Sequence, residues 1–166
     1  MIKFAMTFFE SIKTCVTKKY SKSNGRASRS ELWYFVLFYI GVIFISIKIA
    51  PLIEQMTQTE FTAQSDYEGY ALVFSFVFGL SLLLPFINVH IRRLNDIGQP
   101  GSSWMGGLGA LFITAGILSR LITVEIGEFI AWGIYVLYGI IFILCIKPGD
   151  QKDNKYGKNI YKNSKK

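Results

Sequence analysis

Residues 70–89 read YALVFSFVFGLSLLLPFINV, twenty consecutive positions without a charged side chain. An α-helix rises about 1.5 Å per residue, so roughly 20 apolar residues cross a hydrocarbon core about 30 Å thick. A helix is required at that depth because lipid offers no hydrogen-bond partner to backbone N–H and C=O groups. The stretch therefore predicts one transmembrane helix.

Three further apolar stretches accompany this one in a chain of 166 residues. They cover residues 32–53, 101–119 and 129–146, and Lys48 is the only charged residue among them. A buried core helix is the alternative for any one stretch, but four of them leave no amphipathic helices to enclose a core. Charged residues make up 17% of the chain, against about 25% in soluble domains. We therefore predict an all-α fold, an integral membrane four-helix bundle, as a single membrane domain over residues 1–166.

The basic residues are distributed unevenly. Of the 18 Lys and Arg residues, all but Lys48 and Arg120 precede the first predicted span, join the second to the third, or follow the fourth. The positive-inside rule places these regions in the cytoplasm, and an even number of spans agrees with it. We predict a multi-pass protein with a cytoplasmic N-terminus and a cytoplasmic tail, residues 147–166. The net charge of +7 is explained by this orientation and by anionic lipid headgroups, so nucleic acid is not expected as a partner.

The cytoplasmic segment 1–27 begins with a different element. Lysines occupy one part of the predicted helix, and apolar residues recur at helical spacing elsewhere on it. The apolar residues are Ile2, Ala5, Phe8, Phe9, Ile12 and Val16. Such a helix can lie in the headgroup region with its phenylalanines buried. We expect an N-terminal amphipathic interfacial helix; the alternative is a helix packed against the cytoplasmic end of the bundle.

Local motifs predict where the first long helix begins and where the second bends. Ser28 and Glu31 have the Ser-x-x-Glu spacing of a capping box, which starts the first helix near Ser28. Pro85 removes a backbone donor from the second span. We expect a kink there, and we expect Asn88 to satisfy the freed carbonyl.

Small residues recur every four positions along the third span, at Ser102, Gly106, Ala110 and Thr114. Such a stripe lets a neighbouring backbone approach closely. We expect this contact to form within the chain, and a dimer face is the alternative.

Polar residues cluster at three points that the predicted topology places on the cytoplasmic face: residues 25–33, 92–98 and 148–157. The candidate cytoplasmic-face polar cluster consists of Arg26, Arg29, Glu31, Arg92, Arg93, Asp96, Asn154 and Tyr156. In one interpretation, ion pairs among these residues fasten the helix ends together. In a second, free arginines hold a phosphate of a lipid headgroup or a soluble anion, because a guanidinium binds phosphate oxygens in a bidentate way. A surface for a protein partner is a third.

At the same three points the sequence resembles domain-of-unknown-function family eight hundred and five, the small, YhaH-like bacterial inner-membrane proteins. Members show a Gly-Arg-x-x-Arg-x-Glu-Tyr-Trp entry, an Arg-Arg-Leu-His-Asp-x-Gly loop and a Pro-Gly…Asn-x-Tyr-Gly exit. The resemblance covers nearly the whole chain, with Leu32 where tyrosine is usual and Asn95 where histidine is usual. Asn95 argues against a mechanism that needs an imidazole in that loop. The resemblance implies a location in the bacterial cytoplasmic (inner) membrane and implies no activity.

The sequence contains no pattern that predicts a catalytic site, a cofactor site or a metal site. The only histidine, His90, ends the second span, and Cys15 and Cys145 lack disulfide or metal spacing. We therefore predict a non-enzymatic membrane scaffold or binding module whose arginine-rich cytoplasmic face binds anionic lipid or a protein partner. The alternative is a small transporter or channel subunit that works as a homo-oligomer. A membrane enzyme that acts on a phosphorylated lipid, with His90 and Asp96 as acid or base, comes third.

Overall fold

The computed structural model describes residues 6–57, 64–118 and 124–161. Within them the chain forms five α-helices: α1 (Phe8–Lys13), α2 (Arg29–Thr57), α3 (Gln64–Asp96), α4 (Gly101–Leu118) and α5 (Val124–Ile146). A π-helical segment, Thr14–Lys18, continues α1 directly. These residues contain no β-strand, and an isolated antiparallel bridge joins Asn154 to Gly157. The prediction of an all-α fold is confirmed.

Each predicted span coincides with one long helix. The stretches 32–53, 70–89 and 129–146 lie inside α2, α3 and α5, and 101–119 matches α4 up to its last described residue, Leu118. By length and composition, two stretches are able to cross a membrane: Arg29–Ile49, with mean hydropathy 2.1, and Val77–Asp96, with mean hydropathy 1.3. Ile130–Ile146 is a shorter apolar helix.

The distribution of polarity is the reverse of that in a water-soluble domain, where large apolar side chains are buried and charged ones exposed. Phe44 on α2, Ile113 on α4 and Trp132 on α5 are 62%, 67% and 68% exposed. The largest fully buried side chains are those of Arg92 and Arg93. We call the end of the bundle that holds these arginines the basic end.

The buried core lies at the basic end, where α2 and α4 begin and α3 and α5 end. Its apolar members come from all four long helices and include Leu32, Val89, Met105 and Cys145. The turn from α3 to α4 needs Gly98, whose φ of 76° suits a residue without a Cβ. Gly101 then packs so closely on α3 that a Cβ would lie 2.8 Å from the Cα of Ile91.

Of the two hydrogen bonds of the predicted capping box at the start of α2, the one to the Ser28 hydroxyl forms. The Ser28 hydroxyl accepts from the backbone N–H of Glu31 at 3.1 Å, and α2 begins at Arg29, as predicted. The Glu31 carboxylate does not return to the backbone of Ser28, because it pairs with Arg92 and Lys19. A buried guanidinium is the stronger partner, since charge-assisted hydrogen bonds exceed neutral ones.

Pro85 lies inside α3, so the carbonyl of Ser81, four residues earlier, lacks its helical N–H donor. The hydroxyl of Tyr20 donates to this carbonyl at 2.6 Å. The side-chain amide of Asn88 donates to the backbone carbonyl of Tyr20 at 2.9 Å. The prediction that Asn88 satisfies the freed carbonyl is therefore wrong. Asn88 lies seven residues, about 10 Å along the axis, beyond Ser81, and a short amide cannot span that distance.

The small-residue stripe of α4 does not contact the rest of the described chain. Ser102, Gly106, Ala110 and Thr114 are exposed, and a Cβ built on Gly106 meets no atom within 4 Å. The predicted contact within the chain is therefore wrong for the described residues. Instead α4 packs through Met105 and the half-buried Trp104 and Leu108, which have more apolar surface to bury.

The N-terminal helix packs against the bundle, as its alternative interpretation expected. Ser11 and Cys15 of its packing face are fully buried, the half-buried Val16 packs on the core, and Phe8 contacts Tyr34. Phe9 stays 80% exposed, and Ile2 and Ala5 of the predicted apolar stripe lie outside the described residues. The small side chains make the contact because they allow the helix to approach the start of α2 closely.

Candidate functional site

The last turn of α3 is the centre of the candidate site. Arg92, Arg93, Asn95 and Asp96 are all buried there. Neighbouring residues of a helix project about 100° apart. The two adjacent guanidinium groups therefore reach different carboxylates, and each builds a cluster of its own.

The first cluster surrounds Glu31 and is called the Glu31 cluster. Arg92 donates to the Glu31 carboxylate at 2.8 Å, and Lys19 lies 3.2 Å from the same oxygen. Arg92 also donates to the backbone carbonyl of Lys22 at 2.6 Å. The cluster thus joins the start of α2 and the end of α3 to the loop that follows the π-helical segment.

Cys15 lies inside the Glu31 cluster, with its Sγ 3.7 Å from an Arg92 nitrogen and 4.0 Å from Glu31 Oε1. Burial raises the pKa of its thiol to about 11, and the negative charge of Glu31 adds to this effect. The thiol is therefore protonated at neutral pH, and a protonated thiol is a poor nucleophile and metal ligand.

The second cluster surrounds Asp96 and is called the Asp96 cluster. The fully buried carboxylate accepts from Arg26 Nε at 2.7 Å, from Arg93, and from the Tyr161 hydroxyl at 2.6 Å. Burial raises the pKa of the Tyr161 phenol to about 12, and the hydrogen bond and charge of Asp96 add to the shift. The phenol is therefore a firm donor at neutral pH.

The remaining guanidinium donors of the Asp96 cluster bind backbone carbonyls. Arg26 donates to Lys152 O at 2.8 Å and to Asp150 O. Arg93 donates to Cys145 O at 3.1 Å and to Lys147 O, at the end of α5. These contacts hold the end of α5 and the residues after it against α3 and against the segment before α2.

Residues 147–161 cover the Asp96 cluster closely. The backbone N–H of Asp150 donates to the carbonyl of Asp96 at 2.8 Å. Gly149 lies against the Asp96 carboxylate, and a Cβ at this position would overlap that group and come 2.6 Å from the Tyr161 hydroxyl. The covering segment therefore requires glycine there because no side chain fits.

Asn95 joins three parts of the chain beside the Asp96 cluster. Its amide nitrogen lies 3.3 Å from Gly25 O, and its amide oxygen accepts from the N–H of Gly101 at 3.2 Å. The Asn154 amide donates to the backbone carbonyl of Asn95 at 3.0 Å. An amide donates and accepts at the same time without a charge, so Asn95 connects the three parts without adding a charge.

The structure brings together most of the predicted site residues. Five of them form the two clusters, namely Arg26, Glu31, Arg92, Arg93 and Asp96. Asn154 adjoins them through Asn95 and Asp150. Arg29 is exposed and belongs to neither cluster, and the Tyr156 ring contacts the Lys155 ammonium at 5.0 Å.

Four members of the site were not predicted: Lys19, Cys15, Asn95 and Tyr161. Lys19 and Cys15 belong to a segment that was analysed for its apolar stripe, and Tyr161 follows the last motif. Asn95 belongs to α3 itself. Nothing in the spacing of Lys19, Cys15 and Tyr161 relates them to α3. The packing of the N-terminal and C-terminal segments on the basic end brings them there.

The arginines of the two clusters are engaged rather than free. Among the described residues, Arg92 Nε is the one buried side-chain nitrogen or oxygen without a hydrogen-bond partner. Arg92 and Arg93 are 0% exposed, so a phosphate in solution or in a headgroup does not reach them. The contacts match the interpretation in which ion pairs fasten the helix ends, and they oppose phosphate binding at these two residues.

His90 and Asp96 lie in separate surroundings. His90 Nδ1 lies 2.8 Å from the carbonyl of Phe86, and its ring packs against Phe86 and Tyr138. The Asp96 carboxylate binds Arg26, Arg93 and Tyr161. In the described part of the chain, no group of three or more His, Cys, Asp or Glu residues is placed to hold a metal ion. His90 and Asp96 thus have different hydrogen-bond partners.

Fold and site together define a class, an all-α protein whose long helices are fastened at one end by buried arginine–carboxylate clusters. A family model described as "Protein of unknown function (DUF805)" matches residues 20–158. The chain belongs to this family, and the resemblance found in the sequence is confirmed. No curated protein and no solved structure matches the chain.

Proposed function

We propose that the chain is a multi-pass membrane scaffold without enzymatic activity. Its four long helices cross the bilayer, and its basic end binds anionic lipid headgroups of the cytoplasmic leaflet. The observation that carries the proposal is the reversed polarity of the bundle. Apolar side chains face outward along the helices, and the arginines are inside. Lipid is the solvent that accepts such a surface.

The size of the apolar surface supports a bilayer as that solvent. Among the described side chains of α2 to α5, twenty-three large apolar or aromatic ones are exposed. Moving one such side chain from water to an apolar medium is worth about 1.5–3 kcal/mol. Exposure on this scale far exceeds the few hundred Å² of contiguous apolar patch that soluble monomers tolerate. A protein partner would have to cover every helix, whereas lipid does so without specific recognition.

The orientation follows from the basic residues. The two clusters lie at the end of the bundle next to the regions that hold 16 of the 18 Lys and Arg residues, and the positive-inside rule assigns that end to the cytoplasm. Both termini are then cytoplasmic. The family resemblance favours the bacterial inner membrane as the location.

The clusters give the scaffold its rigidity. Removing one partner from a buried ion pair leaves an uncompensated charge and costs about 3–5 kcal/mol, so the packing at the basic end depends on both members of each pair. The two clusters join α2, α3 and the segments before α2 and after α5. The surface that remains for a partner consists of exposed cations such as Lys13, Lys18 and Arg29.

Accessibility of single introduced cysteines tests this proposal. Thr59→Cys lies in the sequence between the first two spans, and Lys155→Cys lies in the tail. A membrane-impermeant maleimide should label residue 59 in intact cells and residue 155 only after permeabilisation. Cys15 and Cys145 are buried, so the unmodified chain serves as the blank. Release of the chain from membranes by alkaline carbonate, or the opposite labelling pattern, would refute the proposal.

A further inference from the structure

The N-terminal segment, residues 6–23, is fixed to the bundle on one side. The Ser11 hydroxyl donates to the backbone carbonyl of Glu31 at 2.7 Å, and the Tyr20 carbonyl accepts from Asn88 at 2.9 Å. Cys15 is fully buried beside Glu31. Because these contacts reach both α2 and α3, the segment has a defined orientation at the basic end.

The other side of the segment presents an aromatic ring. Phe9 is 80% exposed, and its ring packs edge to face on Phe8 at 5.6 Å, which in turn packs on Tyr34 at 5.9 Å. Tyr34 and Leu37, one turn apart on α2, are 36% and 61% exposed. The ring of Phe9 is therefore continuous with the outer apolar surface of α2, which the proposed function assigns to lipid.

Exposed cations lie on the same segment as this aromatic ring. Lys13, Lys18 and Lys22 are exposed and form no ion pair with a described residue. The one acidic residue of the segment, Glu10, forms a capping box with Thr7. The exposed side of the segment thus combines an apolar anchor with net positive charge, the two properties by which amphipathic helices bind anionic bilayers.

We propose that the N-terminal segment is a lipid-binding surface that places Phe9 in the interfacial layer of the cytoplasmic leaflet and holds anionic headgroups on Lys13, Lys18 and Lys22. The inference rests on the proposed function and adds the residues that contact the headgroups. It assigns lipid binding to exposed lysines, because the guanidinium groups of the Glu31 and Asp96 clusters are occupied. Rigid attachment through Ser11 and Cys15 fixes the depth of Phe9 relative to the spans.

Competition between two lipids measures the role of the lysines. The full chain is exchanged into mixed micelles of phosphatidylglycerol and phosphatidylcholine, and native mass spectrometry gives the ratio of the two lipids retained. The test variant reverses three charges in the segment, K13E/K18E/K22E. The matched control reverses three exposed tail lysines, K152E/K155E/K158E.

A basic residue near an anionic leaflet changes partitioning by about five-fold. We therefore expect the preference for phosphatidylglycerol to fall at least about five-fold in the test variant and to change little in the control. Equal losses in the two variants would show that only net charge matters and would overturn the proposal. An unchanged preference in the test variant would overturn it as well.

Fluorescence quenching measures the position of residue 9. The Phe9→Cys variant is labelled with bimane and placed in nanodiscs that contain phosphatidylglycerol. Quenching of the bimane fluorescence is then measured separately with doxyl-labelled lipid and with aqueous iodide. We expect quenching by the doxyl lipid and protection from iodide. Quenching by iodide alone would refute insertion, and protection from both quenchers would indicate a protein at this surface and also refute it. If the labelling of residues 59 and 155 keeps the proposed topology in the same preparation, such a failure affects this inference and leaves the proposed function standing.

Discussion

The hydrogen bond between Tyr20 and Ser81 yields a prediction that separates one interaction from the rest of the fold. Pro85 deprives the Ser81 carbonyl of its helical donor, and the Tyr20 hydroxyl supplies a substitute at 2.6 Å. Tyr20→Phe removes that donor and keeps the ring. Ser81 lies on the outer surface of the bundle, where the proposed lipid surroundings offer its carbonyl no other donor. A polar group that loses its partner away from water costs about 1–3 kcal/mol, so we expect Tyr20→Phe to destabilise the fold by that amount.

Replacement of Pro85 tests the cause of this loss. Pro85→Ala restores a backbone N–H that can donate to the Ser81 carbonyl, as in an uninterrupted helix. In that background we expect Tyr20→Phe to cost at most about 0.5 kcal/mol, because the carbonyl keeps a partner. The double-mutant cycle then gives a coupling energy of about 1–2 kcal/mol between two residues that are 65 positions apart.

Unfolding in mixed micelles of a mild detergent and sodium dodecyl sulfate, followed by circular dichroism, measures each free energy. Tyr135→Phe is the matched control, because Tyr135 is 67% exposed and its hydroxyl has no hydrogen bond to a described residue. The control should change stability by less than about 0.5 kcal/mol. The same cost of Tyr20→Phe with and without Pro85 would refute the reasoning, because the carbonyl of Ser81 would then not be the group that needs Tyr20.

Three further substitutions or treatments test the packing of the basic end. Gly101→Ala should lower the unfolding midpoint strongly, because the new Cβ would overlap Ile91. Gly106→Ala places its Cβ in open space and should be neutral or slightly stabilising, because alanine has the higher helix propensity. Similar effects of the two substitutions would contradict the close packing at Gly101. Asp96→Asn should cost about 3–5 kcal/mol, because it leaves two buried guanidinium groups without a carboxylate; a loss below 1 kcal/mol, measured in the same micelles, would contradict this role. Burial raises the pKa of the Cys15 thiol from 9.0 to about 11, so Cys15 should react with maleimide only after denaturation. The contribution of the protonated thiol to stability should be complete below pH 9 and disappear as pH rises toward 11. Rapid labelling of the folded chain at pH 8 would contradict the prediction.

The helices were predictable from the sequence because their length is set by a local property. A run of about 20 apolar residues forms a helix wherever lipid replaces water, whatever its neighbours are. Helix ends are different, because they depend on polar partners. α2 continues to Thr57 and α3 begins at Gln64, beyond the apolar stretches 32–53 and 70–89. Hydrophobicity does not predict those extensions.

The members of the site were largely predictable, and their partners were not. Three polar motifs at three points of an up-and-down bundle had to meet at one end, and Arg26, Arg92 and Asp96 do so. Which carboxylate each arginine binds depends on how the segments before α2 and after α5 pack. Those segments lack hydrophobic periodicity that relates them to α3. The stripe through Gly106 shows the same limit, because small side chains permit a close approach without specifying a partner.

The position of the clusters at the helix ends has a physical reason beyond ion pairing. The last carbonyls of a helix have no intrahelical donor, and at a buried helix end few water molecules are available to replace one. Arg93 donates to Cys145 O and Lys147 O at the end of α5, while Asp96 holds the same guanidinium from the end of α3. One side chain thereby satisfies the terminus of one helix and neutralises a carboxylate on another. A lysine supplies the charge but not the planar set of five donors, so the network requires arginine because it caps helices as well as pairing charges.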